Sequence, residues 1–518
     1  MASGDPDSGS VVLWTRVTAS GSLDVAWELA TDRHFADIVR RGTFATGPER
    51  DHTVKVLAEG LLPGARYFYR FHANGQVSPT GQTRTLPIGS LDRLGIALVS
   101  CSNYALGHFN AYAAIARDPA IDFVLHTGDY IYEHGADGWG GELARRIGRV
   151  HQPAHEIVSL TDYRTRHAQY KRDAGSLAML AAKPILACWD DHESANNPWS
   201  GGAQNHQSES EGDWNVRRAA SIQAYFEWMP VREPSPGRSR MQFWRTWSFG
   251  DLATLSTLET RHTARARQID YGPYKQTIRS HADALAMERD ALGAPGRLML
   301  APELEAELIA AWTRSKELGQ PWRLIGNPMP IARTRVPDVV RLGLIADPAR
   351  QANPRSAALE LAWKGRWNLP FYPDTWDGYD WARERLYSQA RAAGVNDLVF
   401  LSGDSHSFWA NRLADGAGRP VGIELGTAGV TSPGDFVESG FEPAIARKLD
   451  EAFAEHNPEV LWTDNLHQGY VAIELRREFA KATFVAMNTL QRPDWRHFPI
   501  SKWRIERGND GLDLTRRG

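Results

Sequence analysis

The chain is poor in cysteine: Cys101 and Cys188 are the only two in 518 residues. A disulfide-stapled scaffold is thereby excluded, and each thiol is left for packing or for metal. No stretch approaches about eighteen consecutive apolar residues, so no transmembrane helix is predicted. The first residues, Met1 to Pro6, hold no basic segment leading into an apolar run, so no signal peptide is read in this chain. Charge of one sign is lacking too: 59 Lys and Arg stand against 62 Asp and Glu, for a net charge of −3. That balance gives no electrostatic reason to expect a nucleic acid or a membrane surface as partner. Internal repeats and low-complexity tracts are also missing. What is there is an ordinary globular composition, 42% hydrophobic and 23% charged, with 19 Trp. It excludes a disordered or fibrous chain and suggests large cores with an aromatic-lined cleft.

Residues 1–88 read as an all-β domain. Val11 to Val17, Asp24 to Ala30, Thr53 to Leu57 and Ala65 to Phe71 are short strand-like runs, and Leu62-Pro63-Gly64 is a turn. Strands of this length without a helical segment predict a small β-sandwich. From residue 92 short apolar runs alternate with helical stretches. Strands are predicted at Leu94 to Ser100, Ile121 to Leu125, Pro184 to Trp189, Leu252 to Leu258, Trp322 to Ile325, Leu398 to Leu401 and Val421 to Leu425. Helices are predicted around Arg164 to Ala182, Trp214 to Trp228 and Pro302 to Leu318. Residues 92–507 therefore read as one α/β domain with buried strands. The stretch Ile331 to Asp377 reads as a long ordered loop over a site. Residues 508–518 read as a loose polar tail.

In α/β folds ligands collect at the carboxyl ends of strands, so the residues after each apolar run carry the functional argument. The first run ends in Cys101-Ser102-Asn103-Tyr104. The second ends in Gly128-Asp129-Tyr130-Ile131-Tyr132-Glu133, the third in Asp190-Asp191-His192-Glu193, and a later one in Gly403-Asp404-Ser405-His406. Each alone is compatible with a turn, a buried thiol or a helix cap. Four together place a thiol, carboxylates, a phenol and imidazoles at strand ends. Carboxylates are costly to gather unless cations neutralise them, and such a cluster is what a two-metal hydrolytic centre needs. Tyr132 follows Asp129 by three positions, so one short loop can offer both oxygens to one ion.

These blocks, in this order, resemble the alkaline phosphatase D (PhoD) family of calcineurin-like metallophosphoesterases. The resemblance covers nearly the whole chain. It extends to Ala2-Ser3-Gly4-Asp5-Pro6, Leu258-Glu259-Thr260-Arg261, Trp376-Asp377-Gly378-Tyr379 and Thr431-Ser432-Pro433-Gly434. It implies a two-sheet core flanked by helices, preceded by the small sandwich. It also implies ferric iron held by Cys101, Asp129, Tyr132 and His406, with Asp129 bridging to a calcium bound by Asp191 and Asp404. A second calcium would use Asp190 with Asn196 or Asn197. Asp191 and Asp404 stand where ordinary metallophosphoesterases carry Asn and His, and hard anionic oxygens suit calcium better than zinc. His192 matches the histidine that contacts the phosphoryl oxygen or assists the leaving group, with an orienting role as its alternative. Asn103 is a candidate phosphate donor or a turn residue. Arg164 and Arg166 are read as salt-bridge formers ahead of phosphate clamps, Arg333 to Arg341 as a charged loop, and His126 as a structural strand residue. Glu259 departs from the Asp usual in the family; it is expected to lie away from the metal motifs and to matter little.

The expected activity is hydrolysis of phosphate mono- or diesters at alkaline pH. Alternatives are a phospholipase-type or nucleotide-directed phosphodiesterase, a non-catalytic surface-binding protein and a metal-buffering protein. The loops His134 to Pro153 and Ile331 to Asp377 would decide between the enzymes. Family resemblance also implies a periplasmic or secreted location, with the export signal absent from this chain.

Overall fold

The computed structural model describes residues 1–348, 351 and 355–517. Two large sheets lie face to face. One has ten strands, ordered Gly511–Arg516, His497–Gly508, Phe479–Met487, Gly469–Leu475, Leu94–Val99, Phe123–Thr127, Ile185–Cys188, Ala2–Gly4, Ser10–Arg16 and Thr53–Glu59. The other has seven, ordered Thr246–Phe249, Ala253–Thr257, Trp322–Asn327, Leu398–Ser402, Pro420–Gly426, Phe408–Ala414 and Val460–Asp464. The strands predicted from the apolar runs form the parallel centre of each sheet. Both of their faces are buried, which is why they read as continuous hydrophobic runs. Along Leu94–Val99, Leu94, Ile96 and Leu98 meet the second sheet, while Ala97 and Val99 meet helices.

Helices close the two outer faces. Leu160–Tyr170, Ala174–Ala182 and Trp214–Trp228 cover the first sheet, and Pro302–Glu317 and Asp380–Ala392 cover the second. Trp214–Trp228 starts where predicted, capped by the Asp213 carboxylate, and Pro302 opens its helix at the first turn. The single helix expected over Arg164 to Ala182 is two. Asp173 turns its carboxylate onto the amides of Gly175 and Ser176 and starts a new helix there.

Residues 1–87 contain only strands and one short 3-10 turn. A five-stranded sheet contributes Val25, Trp27, Leu29, Tyr67, Tyr69 and Phe71 to a core against Val11, Leu13, Val54, Val56 and Ala58. The second layer of this sandwich is continuous with the ten-stranded sheet, because Gly4 pairs in parallel with Ile185. Two expectations are corrected. Gly511–Arg516 is not a loose tail: it pairs antiparallel with His497–Gly508 and buries Leu512 and Leu514. The stretch from Ile331 to Asp377 is not all loop: it contains the helix Ser356–Trp367, and its residues 349–350 and 352–354 lie outside the described ones.

Candidate metal centre

The four strand ends meet at one point, and tight backbone turns bring them there. Cys101, Asp129, Asn197, Asp404 and His406 all have φ between 50° and 64°, a left-handed conformation that non-glycine residues rarely keep without a reason. Two glycines let the turns touch. A Cβ on Gly128 would lie 2.4 Å from the Asp190 backbone nitrogen, and one on Gly403 would lie 2.5 Å from Ser100 Oγ. Glu193 gathers the loops from below. Its carboxylate accepts from the amides of Asp129 (3.0 Å), Tyr130 (2.7 Å) and Asp190 (2.9 Å).

Two groups of donor atoms meet at Asp129, with His192 joining Asp129 and Asp191 in a further one and Glu133, His134 and His192 forming another beside them. On one side, Cys101, Asp129 and His406 place their donor atoms within 4.8 Å of one another. The Tyr132 hydroxyl joins them, 3.1 Å from Asp129 Oδ2, 3.4 Å from His406 Nε2 and 3.0 Å from Ser432 Oγ. On the other side, Asp129, Asp190, Asp191 and Asp404 lie within the same limit of one another. Burial, followed by neighbouring carboxylates, pushes Asp129 and Asp404 well above the ordinary carboxylate range. Burial and then Asp129 likewise push up the Cys101 thiol and the Tyr132 phenol. Asp190 Oδ2 and Asp191 Oδ1 are buried with no hydrogen-bond partner among the described residues. Clustered acids with orphaned oxygens fit multivalent cations, which would reverse each of these shifts.

His192 flanks both groups. Its backbone amide reaches Asp129 Oδ1 (3.3 Å), its Nδ1 lies 2.6 Å from Glu133 Oε2, and its ring stacks on Tyr132 at 4.2 Å. Burial opposes its charge, but Asp191, Glu133 and Asp129 outweigh burial and hold it well above the ordinary histidine range. Asn103 is fully buried. Its Oδ1 accepts from the Ala105 amide, which is the turn role, while its Nδ2 has no partner among the described residues. Asn197 approaches through its backbone, whose amide donates to Asp191 Oδ2 (2.9 Å). Its side-chain amide turns away to Gln204 (2.8 Å), and Asn196 leans the same way. His126 is structural, bonded to the Tyr112 hydroxyl at 2.7 Å. Arg164 pairs with Glu227, and Arg333 and Arg335 pair with Glu459 and Glu288. Among the described residues Arg166 forms no salt bridge; it donates to the carbonyls of Tyr132, Gln152 and Pro153 and so fixes the loop that carries Tyr132.

The expectation that Glu259 lies away from the metal motifs is corrected. Its carboxylate accepts from Trp189 Nε1 (3.2 Å) and from the amides of Arg261 (2.9 Å) and His262 (2.7 Å). It thereby shapes the turn that drives Arg261 into the metal cluster. Arg261 has a fully buried side chain; Nε donates to Asp190 Oδ1 (2.5 Å), and Nη2 lies 3.6 Å from Asp404 and 3.8 Å from Asp191. Sequence reasoning missed Arg261, although the block Leu258-Glu259-Thr260-Arg261 was in view.

Two facing sheets that deliver carboxylates, a thiol, a phenol and an imidazole to one buried point define a metal-dependent hydrolase. Residues 96–484 match the family described as PhoD-like phosphatase, and residues 1–87 match the PhoD-like phosphatase N-terminal domain. This chain belongs to the PhoD-like phosphatase family. It is 32% identical to alkaline phosphatase D of Bacillus subtilis (strain 168) over 510 residues, covering 95% of this chain and 78% of that protein. Its fold matches a solved structure described as PhoD with a TM-score of 0.78 at 29% identity, over 99% of this chain and 91% of that one.

Proposed function

We propose that this phosphatase hydrolyses phosphate monoesters, diesters or both at alkaline pH with a centre of ferric iron and calcium. The observation that carries the reading is the division of donors around Asp129: thiol, phenol and imidazole on one side, hard carboxylates on the other. Cys101, Asp129, Tyr132 and His406 would hold iron, because anionic thiolate and phenolate suit a trivalent ion. Asp129, Asp191 and Asp404 would hold calcium. A second calcium on Asp190 with Asn196 or Asn197 would require those amides to turn from Gln204 and the calcium to share Asp190 with Arg261. When bound, the metals polarise the phosphoryl oxygens and neutralise the charge that develops on them.

The protein's own residues do the rest. Glu133 engages His192 through Nδ1, which leaves Nε2 to hold a proton toward the phosphoryl or leaving oxygen. Asn103 Nδ2, without a partner among the described residues, would donate to a phosphoryl oxygen. Calcium in the centre favours an exported, periplasmic or secreted enzyme, and no helix among the described residues is long and apolar enough to cross a membrane. The test combines elemental analysis of the purified protein, a screen of mono- and diesters, and Tyr132→Phe. Phenolate on ferric iron absorbs visible light by charge transfer, so the variant is expected to lose or shift that band, lose iron and lose activity. Full retention of spectrum, iron and turnover would reduce Tyr132 to a packing residue and overturn the ligand set.

A further inference from the structure

The centre is sealed on most sides. The side chains of Arg261, Asp190 and Asp191 are 0%, 1% and 3% exposed, whereas those of His192 and Asp404 reach 10% and 20%. His134, Trp139 and His406 are half-buried beside them. These residues form the less buried rim of the centre, so a group attached to a phosphoryl held at the carboxylates would lead outward past them.

Trp139 dominates that rim and belongs to neither the core nor open solvent. It sits in the glycine-rich turn Gly135-Ala136-Asp137-Gly138-Trp139-Gly140-Gly141, where Gly140 adopts φ +84°. Its ring lies nearly parallel to His406, 5.4 Å away at 18°, and 5.6 Å from Tyr132. His134 meets it edge-on at 6.2 Å. The indole N–H donates to Glu438 Oε1 at 2.5 Å. A stack and a hydrogen bond together fix the plane of a large aromatic ring at the mouth of a phosphate site. Rigid aromatic surface costs little entropy to use and binds flat rings sequence-tolerantly through their faces.

We propose that Trp139 is the wall against which the leaving group rests, and that it favours phosphate esters carrying a flat aromatic ring, nucleotides above all. The proposal rests on the phosphoesterase reading and deepens it by naming a substrate class. Its test compares adenosine 5′-monophosphate with ribose 5-phosphate, which differ in the base and share the scissile ester. The metal-loaded enzyme is assayed as wild type, Trp139→Ala and Trp139→Phe, with metal content measured alongside. Wild type is expected to prefer the nucleotide about tenfold in kcat/KM, mainly through KM, as for one base stacked on one ring. Trp139→Ala is expected to bring the ratio of the two substrates close to one, and Trp139→Phe to keep most of the preference. A wild type that hydrolyses ribose 5-phosphate and shows no preference overturns the wall and leaves the phosphoesterase standing. An equal loss on both substrates in Trp139→Ala overturns it too, since the ring would then merely support His406. A wild type inert to both and to p-nitrophenyl phosphate overturns the phosphoesterase reading, and the wall with it.

Discussion

Arg261 is a cation that the chain itself supplies to the centre, beside His192. Its guanidinium faces Asp190, Asp191 and Asp404 inside a fully buried site, and its Nη1 and Nη2 have no hydrogen-bond partner among the described residues. Removing one member of a buried ion pair costs about 3–5 kcal/mol, because the remaining charge is stranded. Arg261→Met is therefore expected to lower the melting temperature of chelator-treated protein by several degrees. The loss should be smaller in metal-loaded protein, where cations supply the missing charge. Arg261→Lys should not restore it, since a point charge cannot hold Asp190 through Nε while reaching toward Asp404. An unchanged melt in chelator would mean that the guanidinium only fills space.

At the scale of elements, the loop after Ala253–Thr257 shows how a residue outside the donor set governs it. The Glu259 carboxylate accepts from the amides of Arg261, His262 and Thr263, and so replaces the backbone partners that the strand end has lost. Glu259→Ala is expected to weaken metal binding and kcat/KM about tenfold, in line with outer-shell partners of metal sites, and Glu259→Gln to fall between. Metal titration checks this; affinity equal to wild type in Glu259→Ala would detach the loop from the centre. Such couplings are hard to read in a sequence. The strand ends at Cys101, Asp129, Asp191 and Asp404 were legible because buried parallel strands write continuous apolar runs and the donors follow at once. Arg261 meets Asp190 across 71 positions, and nothing local to either residue announces the other. Glu193 read as part of a metal block, yet its work is to accept three backbone amides. The strands at Phe479–Met487, His497–Gly508 and Gly511–Arg516 went unread for a different reason. They lie toward one edge of the ten-stranded sheet, and their alternation is diluted by exposed polar residues such as Lys481, Lys502 and Asp513.

For the molecule as a whole, the seam between the N-terminal strands and the helical layer carries a pH dependence of its own. Lys171 follows Leu160–Tyr170 and is buried there. Its Nζ is 3.1 Å from the Tyr130 hydroxyl and 5.1 Å from the ring centroid of Trp14, which lies on Ser10–Arg16. Burial alone pulls its amine from 10.5 down to about 7. Between those two values the unfolded chain binds a proton that the native chain does not, so native stability rises with pH across that window. Below about 7 both forms are charged, and the native state bears the full cost of a buried ammonium, eased by the faces of Trp14 and Tyr130. Lys171→Met replaces the amine with an apolar chain of similar length. The variant is expected to melt several degrees above wild type at pH 6.5, with the difference shrinking steadily toward pH 10. Melting curves of the two proteins across that range, at fixed metal content, isolate Lys171 together with the Met1 amine that its charge lowers, because titrations not coupled to Lys171 cancel in the difference. A difference that stays constant with pH would show that the amine keeps its proton in the fold, held by the two aromatic faces rather than neutralised by burial.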